Sequence, residues 1–152
     1  MSPGKANQRI ITDRLGFVAG MIKDIQLLPL TSLSEFKADS RNVAAAESCI
    51  RRALEALLDV GRHILSKVFG SAVTEYKQVA KELENRNVLS GDPARKLITL
   101  AGYRNRMVHF YHEITEEELY SICTLELGDL IAVRNALADW VTTHPESINS
   151  DL

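Results

Sequence analysis

Apolar residues in this chain recur at intervals of three and four over long stretches, and that period narrows what it can fold into more than any other feature. Between Gln8 and Leu28, Ile10, Ile11, Leu15, Val18, Met21, Ile22 and Ile25 follow it, the spacing that lines one face of an α-helix. Pro29 has no amide hydrogen to donate, so it closes that helix. After a short polar stretch, Val43, Ala46, Ile50, Leu54, Leu57, Leu58, Ile64, Leu65 and Val68 trace one face of a long second helix. Asp39 or Ser40 can cap its start, and Gly70 stops it. A shorter third helix is predicted over Thr74 to Asn85, and Asp92 with Pro93 makes an N-cap and first-turn pair for a fourth. Thr115-Glu116-Glu117-Glu118 is a capping-box pattern. It opens a last helix that runs through Leu119, Ile122, Cys123, Leu130, Val133, Leu137 and Trp140.

No segment alternates apolar and polar residues between turn signals, and there is no internal repeat. The expected fold class is therefore all-α, a bundle of about five helices with short connections. At 152 residues, 45% of them hydrophobic and 25% charged, the chain can bury a core as a single domain. The stretches 1–8 and 144–152 read as short polar extensions. No apolar run reaches the ~18–20 residues of a membrane span, and Met1 to Arg9 lacks the apolar centre of a signal peptide. The expectation is a cytoplasmic protein with no membrane partner. Cys49 and Cys123 stand far apart in apolar helical contexts, without zinc or redox spacing, and read as small core residues. A net charge of −2 excludes a surface that attracts nucleic acid everywhere, because non-specific binding follows phosphate neutralisation. Any RNA contact must be local.

A glycine-rich phosphate loop, HExxH, GxSxG and a two-metal array of carboxylates are all missing from the sequence. Glu116, Glu117 and Glu118 are better explained as favourable charge at a helix N-terminus than as metal ligands. What remains is Gly102-Tyr103-Arg104-Asn105-Arg106-Met107-Val108-His109-Phe110-Tyr111, near the end of the fourth helix and dense in groups that engage phosphate. At about 100° per residue, Arg104 falls within the stripe of Leu97, Ala101 and Val108, and Arg106 falls on the opposite side as an ordinary solvated charge. An unpaired guanidinium on an apolar face is unfavourable, so Arg104 needs an acidic partner, a subunit interface or an anionic ligand. Asp59 or Glu55 of the second helix could be that partner.

Asn105 and His109, four residues apart, share a stripe and could hold a phosphate or ribose together. A lone histidine near a helix C-terminus is more often a favourable charge at the negative end of the helix dipole than a catalyst. On the wheel, His109 is displaced from Arg104 by about 140°, so the two converge only if the helix frays there or if two subunits share a cleft.

The pattern Arg104-Asn105-x-x-Val108-His109-x-Tyr111 resembles the Arg-x4-His-x-Tyr motif of HepT toxins within the HEPN superfamily of helical ribonucleases. The resemblance spans roughly Arg14 to Val141. The chain departs from the family pattern only slightly: Tyr103 and Phe110 occupy variable positions, and Thr115 stands where an acidic residue is common. The resemblance implies a HEPN-like homodimer whose paired motifs line one cleft and cleave RNA, tRNA or mRNA being candidates, without metal or cofactor. In that reading His109 moves protons as general acid or base, Arg104 steadies the phosphate, and Asn105 orients phosphate or imidazole. Tyr111 would be the residue to which a partner nucleotidyltransferase antitoxin of the MNT family adds AMP, silencing the toxin. Two other readings stay open on the sequence. One is a non-catalytic HEPN module that binds a nucleotide or serves dimerisation. The other is a helical interaction protein in which Arg104 forms an internal ion pair and Tyr111 only packs.

Overall fold

In the computed structural model, residues 4–109 and 114–150 are described, the side chain of His109 apart. Among them are seven α-helices: α1 (Gln8–Gln26), α2 (Leu33–Lys37), α3 (Ser40–Phe69), α4 (Tyr76–Asn85), α5 (Gly91–His109), α6 (Glu116–Leu125) and α7 (Leu127–Thr143). The all-α expectation stands, but the helix count of about five is corrected in two places.

The first is α2, within the stretch read as polar. Ser32 caps it by accepting the Glu35 amide at 3.1 Å, and Phe36 enters the core with its ring 5.6 Å from that of Tyr120. Five residues are too few to display a period. The second is the last helix, which breaks at Glu126 (φ −114°, ψ 3°). Its buried positions run Leu119, Ile122, then Leu130, Val133, Leu137 and Trp140, and Glu126 occupies the place in that stripe where an apolar residue would continue it. Its carboxylate instead accepts the Tyr103 hydroxyl, at 2.9 Å to each oxygen.

The remaining elements follow the local rules. Asn7 caps α1 by accepting the Ile10 amide at 3.1 Å. Ile11, Leu15, Val18, Ile22 and Ile25 then bury one face against α3. Asp39 is the N-cap of α3, and Gly70 ends that helix in the left-handed region at φ +65°, a conformation glycine adopts without a Cβ clash. α1 lies antiparallel to α3, with its start beside His63 and its end beside Cys49. α4 closes on α3 at Gly61, where a Cβ would meet Leu83 Cδ1 at 2.6 Å and Val79 Cγ1 at 3.2 Å. α5 packs on α3, α4 and α7 through Ala94, Leu97, Leu100 and Ala101. Cys123 is buried and Cys49 half-buried against the same core. Burial raises both thiols, that of Cys123 to about 12.

The two stretches expected as extensions pair with each other. β1 (Ala6–Asn7) and β2 (Ile148–Asn149) run parallel, with Ala6 opposite Ile148 and Asn7 opposite Asn149. A short 3₁₀ turn, Pro145–Ser147, leads into β2. The same end is tied to α3 by Gly4 N–H donating to the Lys67 carbonyl at 2.9 Å and by Asn7 N–H donating to His63 Nε2 at 2.9 Å.

The His63 bond requires a neutral imidazole, since a protonated ring has no lone pair to accept with. Burial, then the charges of Lys67 and Arg14, hold its pKa below the ordinary 6.5. The unfolded chain therefore takes up the proton first. The stability from this contact is complete above about 6.5 and is lost as pH falls from there towards the folded value. Thermal unfolding followed from pH 7.5 down to pH 5.5, roughly the window of histidine titration, should show a decline in the parent that is flattened in His63→Gln, whose amide oxygen accepts without titrating.

Candidate active site

The polar end of α5 is held between two sets of acidic side chains. Arg104 faces α3. Its Nε and Nη2 donate to the same Glu55 oxygen, at 3.1 and 2.9 Å, and its guanidinium carbon lies 4.5 Å from the centroid of the Tyr76 ring. Arg104 is 18% exposed and Glu55 26%. Of the two acids expected to serve it, Glu55 is the partner. Asp59, one turn further along α3, is taken up by Arg62 at 2.5 Å and by the Tyr76 hydroxyl at 2.8 Å.

That geometry orients Arg104 without exhausting it. A guanidinium carries five N–H donors; Glu55 accepts two, and Asn105 Oδ1 accepts one from Nη1 at 3.4 Å. The two donors that remain have no partner among the described residues. Arg104 and Asn105 line a cleft of about 350 Å³ together with Arg62, Thr74, Glu75 and Tyr76. Tyr76 acts there as a platform for two cations, since the Arg62 guanidinium carbon is also 5.3 Å from its centroid. Burial, reinforced by the bond to Asp59, pushes its phenol up to about 12. It therefore stays protonated and is no acid–base group near neutrality.

Arg106 points the other way, as its wheel position requires, but it is not an ordinary solvated charge. It is 32% exposed and forms a two-pronged pair with Glu118 of α6, at 2.7 and 2.9 Å. The wheel locates a side chain on a helix; it does not say that another helix covers that face. Tyr103 anchors the same side through Glu126, and burial first, then this bond, pushes its phenol to about 12.

The helix is unbroken from Arg104 to His109, so the two Cα positions keep their angular separation and no fraying before His109 draws them together. The His109 side chain and all of Tyr111 lie outside the described residues. Among the described residues, no three His, Cys, Asp or Glu side chains gather as a metal site. The sequence reading missed Tyr76, Arg62, Thr74 and Glu75. Only the Asp59–Arg62 pair, three residues apart on one helix, left a signal that spacing could have found.

With this geometry in place, comparison with known proteins is decisive at the level of family. The model of the family described as Ribonuclease HepT-like matches residues 19–137. This chain belongs to the HepT-like ribonuclease family. The tRNA nuclease HepT of Aphanizomenon flos-aquae (strain 2012/KM1/D3) is 24% identical over 119 residues, covering 78% of this chain and 80% of that protein. Among solved structures, the tri-AMPylated HEPN toxin of Shewanella oneidensis, determined in complex with an MNT antitoxin, superimposes with a TM-score of 0.76. It is 22% identical, over 86% of this chain and 97% of that one. YutE of Bacillus subtilis, a cytosolic protein of unknown function, gives 0.75 at 17% identity, over 95% and 96%. These two likenesses concern the fold. The HepT-like match over residues 19–137 includes Arg104, Asn105, His109 and Tyr111.

Because Glu55 neutralises a mostly covered guanidinium, its removal should be felt as stability. Glu55→Gln keeps the volume but leaves Arg104 with a weaker acceptor, and should cost about 1–3 kcal/mol. Melting by circular dichroism should fall by several degrees, whereas Lys37→Ala, which breaks an exposed pair with Glu117, should leave it nearly unchanged.

Proposed function

We propose that this protein is a metal-independent RNA endonuclease, the toxin of a toxin–antitoxin pair. The observation that carries this reading is the Arg104–Asn105 corner. A family motif places a guanidinium at the lip of a cleft, pre-oriented by Glu55 and Tyr76, with donors left over for an oxyanion. The ribonuclease family and the tRNA nuclease relative support the same chemistry.

In the proposed reaction, the RNA 2′-hydroxyl attacks the adjacent phosphorus while the bond to the 5′-oxygen breaks. His109 moves the protons, one off the nucleophile or one onto the leaving oxygen. Imidazole suits this because both of its protonation states are accessible near neutrality. Arg104 stabilises the charge that accumulates on the phosphoryl oxygens, and Asn105 holds a phosphate oxygen or the imidazole. No cofactor takes part. A homodimer would bring Arg104 and His109 of different protomers to one cleft, which meets the angular separation the helix retains.

The partner, by analogy with the Shewanella complex, is an MNT-type nucleotidyltransferase that transfers AMP from ATP to the Tyr111 phenol and releases pyrophosphate. An added phosphate close to Arg104 would block RNA by bulk and like charge. The setting would be cytoplasmic; among the described residues no helix is long and apolar enough to cross a membrane. One observation favours another reading, a helical interaction protein without an anion site: Arg104 already has a carboxylate partner in Glu55.

Cleavage assays separate the two. His109→Ala should abolish RNA cleavage with the fold retained, a loss of ~10²–10⁴-fold, and Arg104→Ala should lose roughly 10²-fold or more. Arg106→Ala should lower stability through Glu118 but leave turnover within a few-fold. Activity should persist in EDTA, and light scattering should give twice the 16.9 kDa chain mass. Cleavage that depends on an added divalent ion, or that survives in His109→Ala, would overturn the mechanism. Incubation with a cognate nucleotidyltransferase, ATP and magnesium should add AMP to Tyr111, and Tyr111→Phe should keep its activity and escape silencing.

A further inference from the structure

Beyond Arg62 the cleft continues. A second depression of about 280 Å³ is lined by Ile10, Arg14, Asp59, Arg62, His63, Ser66 and Lys67, and Arg62 belongs to both walls. We propose that Arg14, Arg62, His63 and Lys67 form a second phosphate subsite, which takes up the RNA backbone on its way from the Arg104 cleft along α1 and α3. The proposal rests on the ribonuclease reading above and extends it to substrate binding.

Three observations support it. Most arginines here are spent inside the fold, on Glu47, Glu55, Asp59 and Glu118 among others. Arg14 and Lys67 are exposed, and their side chains have no acidic partner among the described residues. Secondly, the His63 ring is committed at one nitrogen. Since Nε2 accepts the Asn7 amide at 2.9 Å, the neutral ring carries its proton on Nδ1, a donor with no partner among the described residues. The charges of Lys67 and Arg14 also act on that ring, and Arg14, Arg62 and Lys67 line the depression with one carboxylate, Asp59. Thirdly, Arg62 is balanced by Asp59 and Arg104 by Glu55, so that Arg14 and Lys67 set the net charge of the joined walls, against Glu75 in the first cleft. Asp59 is already bonded to Arg62 and Tyr76. This local excess of positive charge stands on a chain of net charge −2. Its continuity with Arg104 through Arg62 selects a polymer of phosphates over one free phosphate ion.

The test uses the full chain and a short fluorescein-labelled single-stranded RNA of mixed sequence. Arg14→Ala, Lys67→Ala and the double variant remove exposed, unpaired cations, so their melting curves should overlay the parent. For the double variant KM should rise on the order of ten-fold with kcat unchanged. The slope of log affinity against log salt should shrink by roughly 0.7 for each cation removed. Lys23→Ala, an exposed cation at the far end of α1, should change neither quantity. KM and salt slope equal to the parent's, or shifted equally by Lys23→Ala, would overturn the subsite while cleavage dependent on Arg104 leaves the ribonuclease reading intact. A parent chain that neither binds nor cleaves RNA would remove both. Variants that keep RNA affinity but lose the nucleotidyltransferase would show that the groove docks a protein, and the RNA subsite would be abandoned.

Discussion

A guanidinium projecting from an apolar helix face has to be neutralised, and much of the architecture around the motif answers that demand. Arg104 leaves α5 among residues that bury Leu97 and Ala101, so water cannot fully solvate it and a carboxylate must come to it. Glu55 does so from the middle of α3, the helix on which α1, α4 and α5 all pack. Two unit charges about 4 Å apart attract by roughly 4 kcal/mol at an effective dielectric near 20, before desolvation is subtracted. The net gain is smaller, but the positional consequence is firm: the end of α5 is registered against α3, and Tyr76 at the start of α4 is fixed beneath the arginine. The lip of the cleft is therefore built by three helices.

The opposite side of α5 is pinned by the same kind of contact. Arg106 holds Glu118 in α6, and Tyr103 holds Glu126 at the α6–α7 break. Because burial and the Glu126 bond keep the Tyr103 phenol protonated up to about 12, it remains a donor throughout the physiological range. With ionic contacts on both sides, α5 resists rotation about its own axis, which would otherwise move Arg104 and Asn105 out of the cleft wall. Preorganisation of this sort matters for catalysis by fixed charge, since donors already in place need not reorganise when the transition state forms.

Much of this was legible in the sequence, and the misses share a physical cause. Long amphipathic segments announce themselves, as α1 and α3 do through Leu15, Val18, Ile22, Ile50, Leu54 and Leu57, and caps such as Asp39, Gly70 and Thr115 mark their ends locally. Features that depend on distant partners left no trace. The five-residue α2 exists because Phe36 finds Tyr120, and β1 finds β2 from the other end of the chain. For the site, the wheel placed Arg104 on the apolar face of its helix, and the sequence offered Glu55 or Asp59 of α3 as its partner. It could not choose between them, because the choice turns on Arg62 and Tyr76 claiming Asp59. Arg106 was misjudged for the same reason: α6 covers its face.

The distribution of paired and unpaired charge has a consequence for how such a site would discriminate ground state from transition state. Glu55 cancels much of the Arg104 charge at long range, so a distant RNA phosphate gains little from it. At contact, the two unused N–H donors act through short hydrogen bonds whose strength rises with the charge on the acceptor. A phosphorane-like transition state, bearing more negative charge on its oxygens than the diester, gains more from those donors than the substrate does. Long-range attraction must then come from cations without an acidic partner, and Arg14 and Lys67 on the α1–α3 groove are two of these next to the cleft. In the proposed reaction, a chain of net charge −2 would in this way separate capture from catalysis: unpaired cations would gather the polymer locally, and a paired, oriented arginine would act only where charge develops.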